Sequence, residues 1–318
     1  MDIKTLRQTV QALVSPGKGI LAADESTKTI TKRFEAIGVK SSESTRFVYR
    51  KMLLTTPGIE EYISGVILYD ETIRQGLKNP NIITGIKVDK GAWKLPGFER
   101  EKYTEGLDGL RDRLTEYKNM GARFAKWRAV ITIGEGLSSQ VCISANVESL
   151  ALYAALCQEQ NIVPIVEPEV LMEGNHDLSR CKEVTTQVLK SVFDKLQIYN
   201  VAPEGMLLKP NMIIPGKESG EQASAEEIAQ ATIEAFKEVV PQEVPGIVFL
   251  SGGQTPDQAT ENLAAINAIA GPWELSYSFG RALQDEALKA WAGKPENVKS
   301  AQKVFLERCK KVSLARSG

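Results

Sequence analysis

The chain of 318 residues is 42% hydrophobic and 25% charged, the balance of an ordinary globular protein. Its formal net charge is −1 and its pI about 6.1, so no global field draws it to nucleic acid or a membrane surface, although local basic clusters could hold small anions. No uninterrupted apolar run approaches the ~18 residues of a membrane span. Cys142, Cys157, Cys181 and Cys309 stand far apart with no CxxC pair, which points to reduced thiols in a cytosolic-type compartment and away from disulfides or structural zinc.

The opening segment, MDIKTLRQTVQALVSPG, reads as a short amphipathic helix with Leu6, Val10, Leu13 and Val14 on one face. It lacks the basic, apolar and small-residue regions of a secretory signal. Short β-branched or apolar runs then recur at residues 17–24, 65–70, 83–89, 123–130, 162–169, 205–211, 246–253 and 275–280. Between them lie helical patterns such as SANVESLALYAALCQEQ, LSRCKEVTTQVLKSVFDKL, SAEEIAQATIEAFKEVV and TPDQATENLAAINAI, the last with Thr255 as N-cap before Pro256. Strand and helix in alternation predict a parallel sheet with helices outside it. Eight such units favour a closed (β/α)8 TIM barrel over an open doubly wound sheet. The length would also admit two domains, but no linker or composition break divides residues 1–318, so a single barrel domain is expected. The N-terminal helix, the Lys90–Arg100 loop and two C-terminal helical segments (281–292 and 296–313) read as peripheral additions.

Charged residues gather at the C-terminal ends of these runs, where parallel barrels carry their chemistry. They are Asp24, Asp70, Lys87 with Asp89, Lys126 with Arg128, Glu167 with Glu169, Lys209 and Arg281. The i, i+2 spacing of the pairs puts both members on one face of a strand. Charges on an inward face are costly unless paired or used, so these are expected to form one polar mouth.

Lys209 follows two leucines and precedes a proline in LLKPN. Most lysines are simply solvated, but this one ends a buried-type strand. An apolar setting or a cation such as Lys126 would lower its pKa and supply a free amine able to form an iminium with a carbonyl. Iminium chemistry needs proton shuttles, and Glu167 and Asp24 stand on other strand ends to provide them. Glu169 is expected to partner a lysine. The single histidine, His176, lies in the polar stretch GNHDL and cannot by itself supply the imidazoles of a typical metal site, so no metal cofactor is expected. A magnesium site built from carboxylates alone is the alternative on that point.

The cations outnumber what a Schiff base requires, which implies an anionic substrate. SGG at Ser251, Gly252 and Gly253, followed by SFGR at Ser278, Gly280 and Arg281, would place Gly-rich backbone where barrels bind phosphate. Ser26, Lys32, Arg33 and Lys87 would suit a second phosphate, although Lys32 and Arg33 could equally be an exposed helix face. There is no P-loop, no GxGxxG and no basic patch interleaved with aromatics, so nucleotide and nucleic acid lack a site.

LAADEST, GVILYDET, GIKVDKG, FAKWR, PIVEPE, LLKPN, FLSGGQ and FGRAL, in this order, closely resemble class I fructose-1,6-bisphosphate aldolases from about residue 3 to residue 314. The resemblance implies a homotetrameric, cytoplasmic, metal-independent enzyme of glycolysis and gluconeogenesis. Such enzymes reversibly cleave fructose 1,6-bisphosphate to dihydroxyacetone phosphate and glyceraldehyde 3-phosphate. It implies Lys209 as the Schiff-base lysine, Glu167 as the acid and base of dehydration, Asp24 at the C4 hydroxyl and Lys126 as an aligning cation. Arg128 and Glu169 would line the substrate site. Ser251, Gly252, Gly253, Ser278, Gly280 and Arg281 would hold the C1 phosphate, and Ser26, Lys32, Arg33 and Lys87 the C6 phosphate. Two departures stand out: Lys28 and Thr29 replace a frequent Gly and Ser, and Ser313–Gly318 contains no tyrosine of the kind that assists enamine protonation in the family. Slow turnover at that step is expected if nothing replaces it. A related Schiff-base aldolase or transaldolase on another phosphosugar is the alternative enzyme, and a barrel that binds without catalysis is the alternative of another class.

Overall fold

The computed structural model describes residues 1–317. In chain order the strands are β1 (Gly19–Ala23), β2 (Ile63–Leu68), β3 (Ile83–Lys87), β4 (Ala92–Leu95), β5 (Phe98–Thr104), β6 (Phe124–Ile131), β7 (Val163–Val170), β8 (Leu207–Leu208), β9 (Gly246–Phe249) and β10 (Glu274–Phe279). The helices are α1 (Ile3–Leu13), α2 (Thr27–Glu35), α3 (Glu43–Leu54), α4 (Asp70–Arg74), α5 (Leu110–Asn119), α6 (Gln140–Glu159), α7 (Leu178–Ile198), α8 (Ala225–Val239), α9 (Pro256–Ile269), α10 (Arg281–Trp291) and α11 (Val298–Leu314). Strands β1, β2, β3, β6, β7, β8, β9 and β10 pair in parallel around a closed barrel, with β10 bonded back to β1. This is the TIM barrel expected from the alternation of strand and helix patterns.

Local chemistry starts the helices where the chain must turn from strand to crossover. Ser224 and Glu227 form a reciprocal capping box at α8, and Thr255 with Gln258 forms another at α9, where Pro256 occupies the first helical position. Asp177 caps α7 and Ser139 caps α6 through their side-chain oxygens. Helix α6 is long and apolar enough to pass for a membrane span, with mean hydropathy 1.3. It contacts β6 and β7 as their crossover and buries Ile143, Val147, Leu150 and Tyr153 among the barrel helices, which accounts for its composition.

The interior is layered by the two-residue period of the strands. Ile20, Ala22, Ile67, Phe124, Val163, Ile165, Leu207 and Val248 make a lower apolar layer together with Leu6, Val10 and Leu13 of α1 and its C-cap Val14. That helix is therefore not peripheral: it stoppers the N-terminal end of the barrel. Space for it comes from glycines, since a Cβ on Gly65 would lie 2.6 Å from Leu13 and one on Gly85 would lie 2.3 Å from the Phe124 ring. The end of the described chain stays at this same pole, where Ser313 donates to the Gly17 carbonyl and Arg316 to the carbonyls of Ser15 and Lys18. The second correction concerns residues 90–100, expected as a loop. They lie within an antiparallel hairpin of β4 and β5 whose Glu101 carboxylate accepts from Ser139 N at 2.6 Å at the start of α6.

Candidate active site

Two residues beyond the apolar layer, the same inward faces become charged. Ala22 gives way to Asp24, Gly85 to Lys87, Phe124 to Lys126, Ile165 to Glu167 and Leu207 to Lys209, while on the last strand Ser276 is followed by Ser278, polar but uncharged. Asp24, Lys126, Glu167 and Lys209 are each buried, at 9, 4, 3 and 3% exposure, so their charges must compensate one another. They do. Lys126 Nζ stands 2.7 Å from Asp24 Oδ2 and 3.3 Å from Glu167 Oε2, and Lys209 Nζ stands 3.4 Å from Glu167 Oε1. Because β1 and β6 are not neighbours in the sheet, the Asp24–Lys126 pair crosses the lumen.

This arrangement sets the charge states. Burial pushes the Asp24 carboxyl up, but Lys126 and then Lys209 outweigh it and hold the group below its ordinary range. Burial likewise works against the Lys126 ammonium, and Asp24, Glu167 and Asp89 more than offset it, so its pKa is raised. Lys126 is thus a permanent cation and Asp24 a permanent anion near neutrality. Glu167 faces both lysines, and its Oε2 makes no hydrogen bond in spite of being buried. Lys209 is held in place by its backbone: its N–H donates to the Val166 carbonyl at 2.8 Å, and the following Asn211 accepts from Val170 N at 3.0 Å.

The remaining expected residues divide into those that face the mouth and those engaged elsewhere. Glu169 was expected to partner a lysine; it pairs instead with Arg128, its diagonal neighbour on β6, whose direct register partner is Glu167. Lys87 bonds to Asp89, which also accepts from Gly91 N at 3.1 Å and Arg128 N at 3.3 Å. Asp89 therefore ties β3 to β6, a role visible beforehand only as the acid that closes GIKVD. Asp70 was expected in the mouth but starts α4 on the outside, bonded to Arg74 at 2.7 Å and to Tyr117 at 2.7 Å. Odd and even positions after β2 point to opposite sides, and Asp70 falls on the wrong parity.

Of the second anion cluster, Ser26 caps α2 by accepting from Thr29 N at 3.3 Å, and Lys32 is exposed. Arg33, expected with them at the second phosphate, already has acidic partners. It is committed to Glu25 and to Asp285 (3.0 Å), clamping α2 to α10 beneath the helices. At the other cluster, Ser251, Gly252 and Gly253 form a turn after β9 closed by Gln254 N to the Ser251 carbonyl at 2.9 Å. Gly252 and Gly253 have φ of 51° and 81°, a region that favours glycine. On the next strand Gly280 is the N-cap of α10 and Arg281 its exposed first residue, so the turn and a helix N-terminus stand side by side, a setting suited to an anion. Ser278, 1% exposed, has no hydrogen-bond partner for its hydroxyl.

His176 is not in a solvated loop. It is 7% exposed with neither ring nitrogen bonded, and burial lowers its pKa. Among the described residues no group of three or more His, Cys, Asp and Glu is arranged to hold a metal ion.

The chain is similar over nearly its whole length to known proteins. The family model described as glycolytic fructose-bisphosphate aldolase class I matches residues 5–318. A Xanthomonas campestris protein named "Probable fructose-bisphosphate aldolase class 1" is 53% identical over 330 aligned positions, covering 100% of this chain and 99% of the relative. Fructose-bisphosphate aldolase 4, cytosolic, of Arabidopsis thaliana is 51% identical, covering 96% of this chain and 80% of the relative. Among solved structures, fructose-bisphosphate aldolase from Plasmodium falciparum, crystallised with TRAP and a small-molecule inhibitor, superposes with TM-score 0.96 at 45% identity, covering 99% of this chain and 94% of that one. With a matching family model over nearly its whole length and relatives above half identity, the chain belongs to the class I fructose-bisphosphate aldolase family.

Proposed function

We propose that the aldol cleavage of fructose 1,6-bisphosphate runs through Lys209, with Glu167, Asp24 and Lys126 moving or holding the protons. As the free amine, Lys209 attacks the C2 carbonyl. Glu167, 3.4 Å from the lysine nitrogen, donates the proton that lets the carbinolamine lose water and form the iminium. Asp24 takes the C4 hydroxyl proton. The C3–C4 bonding pair flows into the iminium, the aldehyde product leaves, and an enamine remains on Lys209. Protonation at C3 and addition of water return the ketone product and the amine. The observation that carries this reading is a buried lysine and carboxylate in contact, flanked by a cross-barrel ion pair that keeps one carboxylate ionised.

The C1 phosphate is assigned to Ser251, Gly252, Gly253, Ser278, Gly280 and Arg281, a reading supported by the unpartnered Ser278 hydroxyl and the glycine turn beside α10. Ser26, Lys32 and Lys87 are assigned to the C6 phosphate, and Arg128 and Glu169 to the sugar between. We read the chain as one domain, a homotetramer and cytoplasmic, the last supported by plant relatives named cytosolic. No metal is required in this mechanism, since the iminium is itself the electron sink.

The test is borohydride reduction with dihydroxyacetone phosphate followed by peptide mass mapping. A reduced adduct on the LLKPN peptide, absent from Lys209→Met, is expected, together with activity that survives EDTA. An adduct elsewhere, or activity abolished by EDTA, would sink the mechanism.

A further inference from the structure

The turn at Ser251, Gly252 and Gly253 has a neighbour that no strand-end pattern could disclose. A Cβ placed on Gly253 would stand 2.8 Å from Lys217 Nζ and 3.1 Å from Met172 Sδ. An ammonium from the loop after β8 and a thioether from the loop after β7 therefore wall the glycine turn directly. Lys217 is not a loosely attached surface lysine at its base. Its N–H donates to the Met172 carbonyl at 2.8 Å, and the Ser219 hydroxyl and N–H close the turn onto the Gly216 carbonyl at 2.7 and 3.0 Å.

Its charge, by contrast, is poorly compensated. The nearest carboxylate is that of Glu173 at 3.8 Å, and both side chains are well exposed, at 41 and 61%. Pairs of that kind contribute little and are screened by salt. Each catalytic lysine has a buried carboxylate against it; Lys217 instead has a glycine whose missing side chain leaves the ammonium access to the turn.

We infer that Lys217 is a further phosphate-binding residue, completing the Ser251–Gly253 turn with a cation that reads the C1 phosphate of the substrate. The inference rests on the assignment of that turn as the C1-phosphate site. Lys217 lies on a different loop from Arg281, so the phosphate would be held between two cations from separate barrel segments, with Met172 excluding water from one side.

The test compares Lys217→Met, Lys217→Arg and Arg281→Met in the full chain, with fructose 1,6-bisphosphate and fructose 1-phosphate as substrates and inorganic phosphate as competitive inhibitor. Lys217→Met should raise KM for both substrates and weaken phosphate inhibition on the order of tenfold, the effect of losing about one charge-assisted hydrogen bond. The kcat should stay within about twofold, because such a contact binds ground and transition states alike. Lys217→Arg should recover most of the affinity, which a merely structural lesion would not allow. If Arg281→Met weakens phosphate and Lys217→Met does not, the role of Lys217 is overturned while the turn keeps its assignment. If neither does, the assignment of the turn fails. A loss confined to the bisphosphate would place Lys217 at the other phosphate and also overturn the inference.

Discussion

Replacing Lys126 by methionine isolates the electrostatic logic of the site. Lys126 touches Asp24 at 2.7 Å and Glu167 at 3.3 Å, and all three are nearly inaccessible to water. Removing Lys126 strands Asp24 without a contacting cation and leaves Glu167 to Lys209 alone, a lesion that costs about 3–5 kcal/mol when the stranded group stays charged. The cost must depend on pH, and its sign can be worked out. In the wild type the Asp24 carboxyl lies below 3.8, so its contribution to stability is complete above that value and lost as pH falls through the lower folded pKa. Without Lys126, burial, the largest influence on Asp24, is no longer opposed by a contacting cation, and the carboxyl should move above its ordinary value. The variant then loses stability as pH rises through this new pKa, the reverse of the wild-type dependence. Urea unfolding midpoints of both proteins between about pH 5 and pH 7.5 measure this, and the gap should widen toward the upper limit. Adding Asp24→Asn should restore part of the loss. A gap that is constant with pH, or a double variant no more stable than the single one, would refute the argument.

Glu167→Gln should lower kcat roughly 10²–10⁴-fold, the usual contribution of a positioned proton donor, with a much smaller change in KM; steady-state kinetics on fructose 1,6-bisphosphate decide it. Arg281→Met should raise KM on the order of tenfold or more and flatten the dependence of KM on ionic strength, since the exposed guanidinium acts on a charged substrate. Gly85→Ala should destabilise by about 1–3 kcal/mol, because the new methyl would meet the Phe124 ring at 2.3 Å in a packed layer, and the unfolding midpoint should drop while KM holds. An unchanged midpoint would mean that Phe124 can move aside.

Much of this protein was legible in the order of its residues. The eight strand runs, the capped helices and the LLKPN lysine are local features: a two-residue period, a Ser or Thr before a helix, and a charge closing an apolar run are written within a few positions of one another. The face on which Lys126, Glu167 and Lys209 sit followed from the same parity. Identity at single strand ends was harder to judge, and Asp70 shows why, since one residue of slip past β2 turns a charge from the mouth to the outside.

Only the closed barrel decided which charges meet. Asp24 and Lys126 are separated by 102 positions and two strands, and their contact across the lumen depends on β10 pairing back to β1. The diversion of Arg33 to Glu25 and Asp285 likewise depends on where α10 packs, and nothing in TKRFE foretells it. The N-terminal helix could be recognised as amphipathic, yet what its apolar face covers, the open lower end of the barrel, became evident only once Gly65 and Gly246 were seen making room for Leu13 and Val14. Local pattern determines which side chains face inward, because it is set by backbone geometry over a few residues. Pairing among them is set by distances between segments far apart in the chain, and those exist only after the sheet has closed.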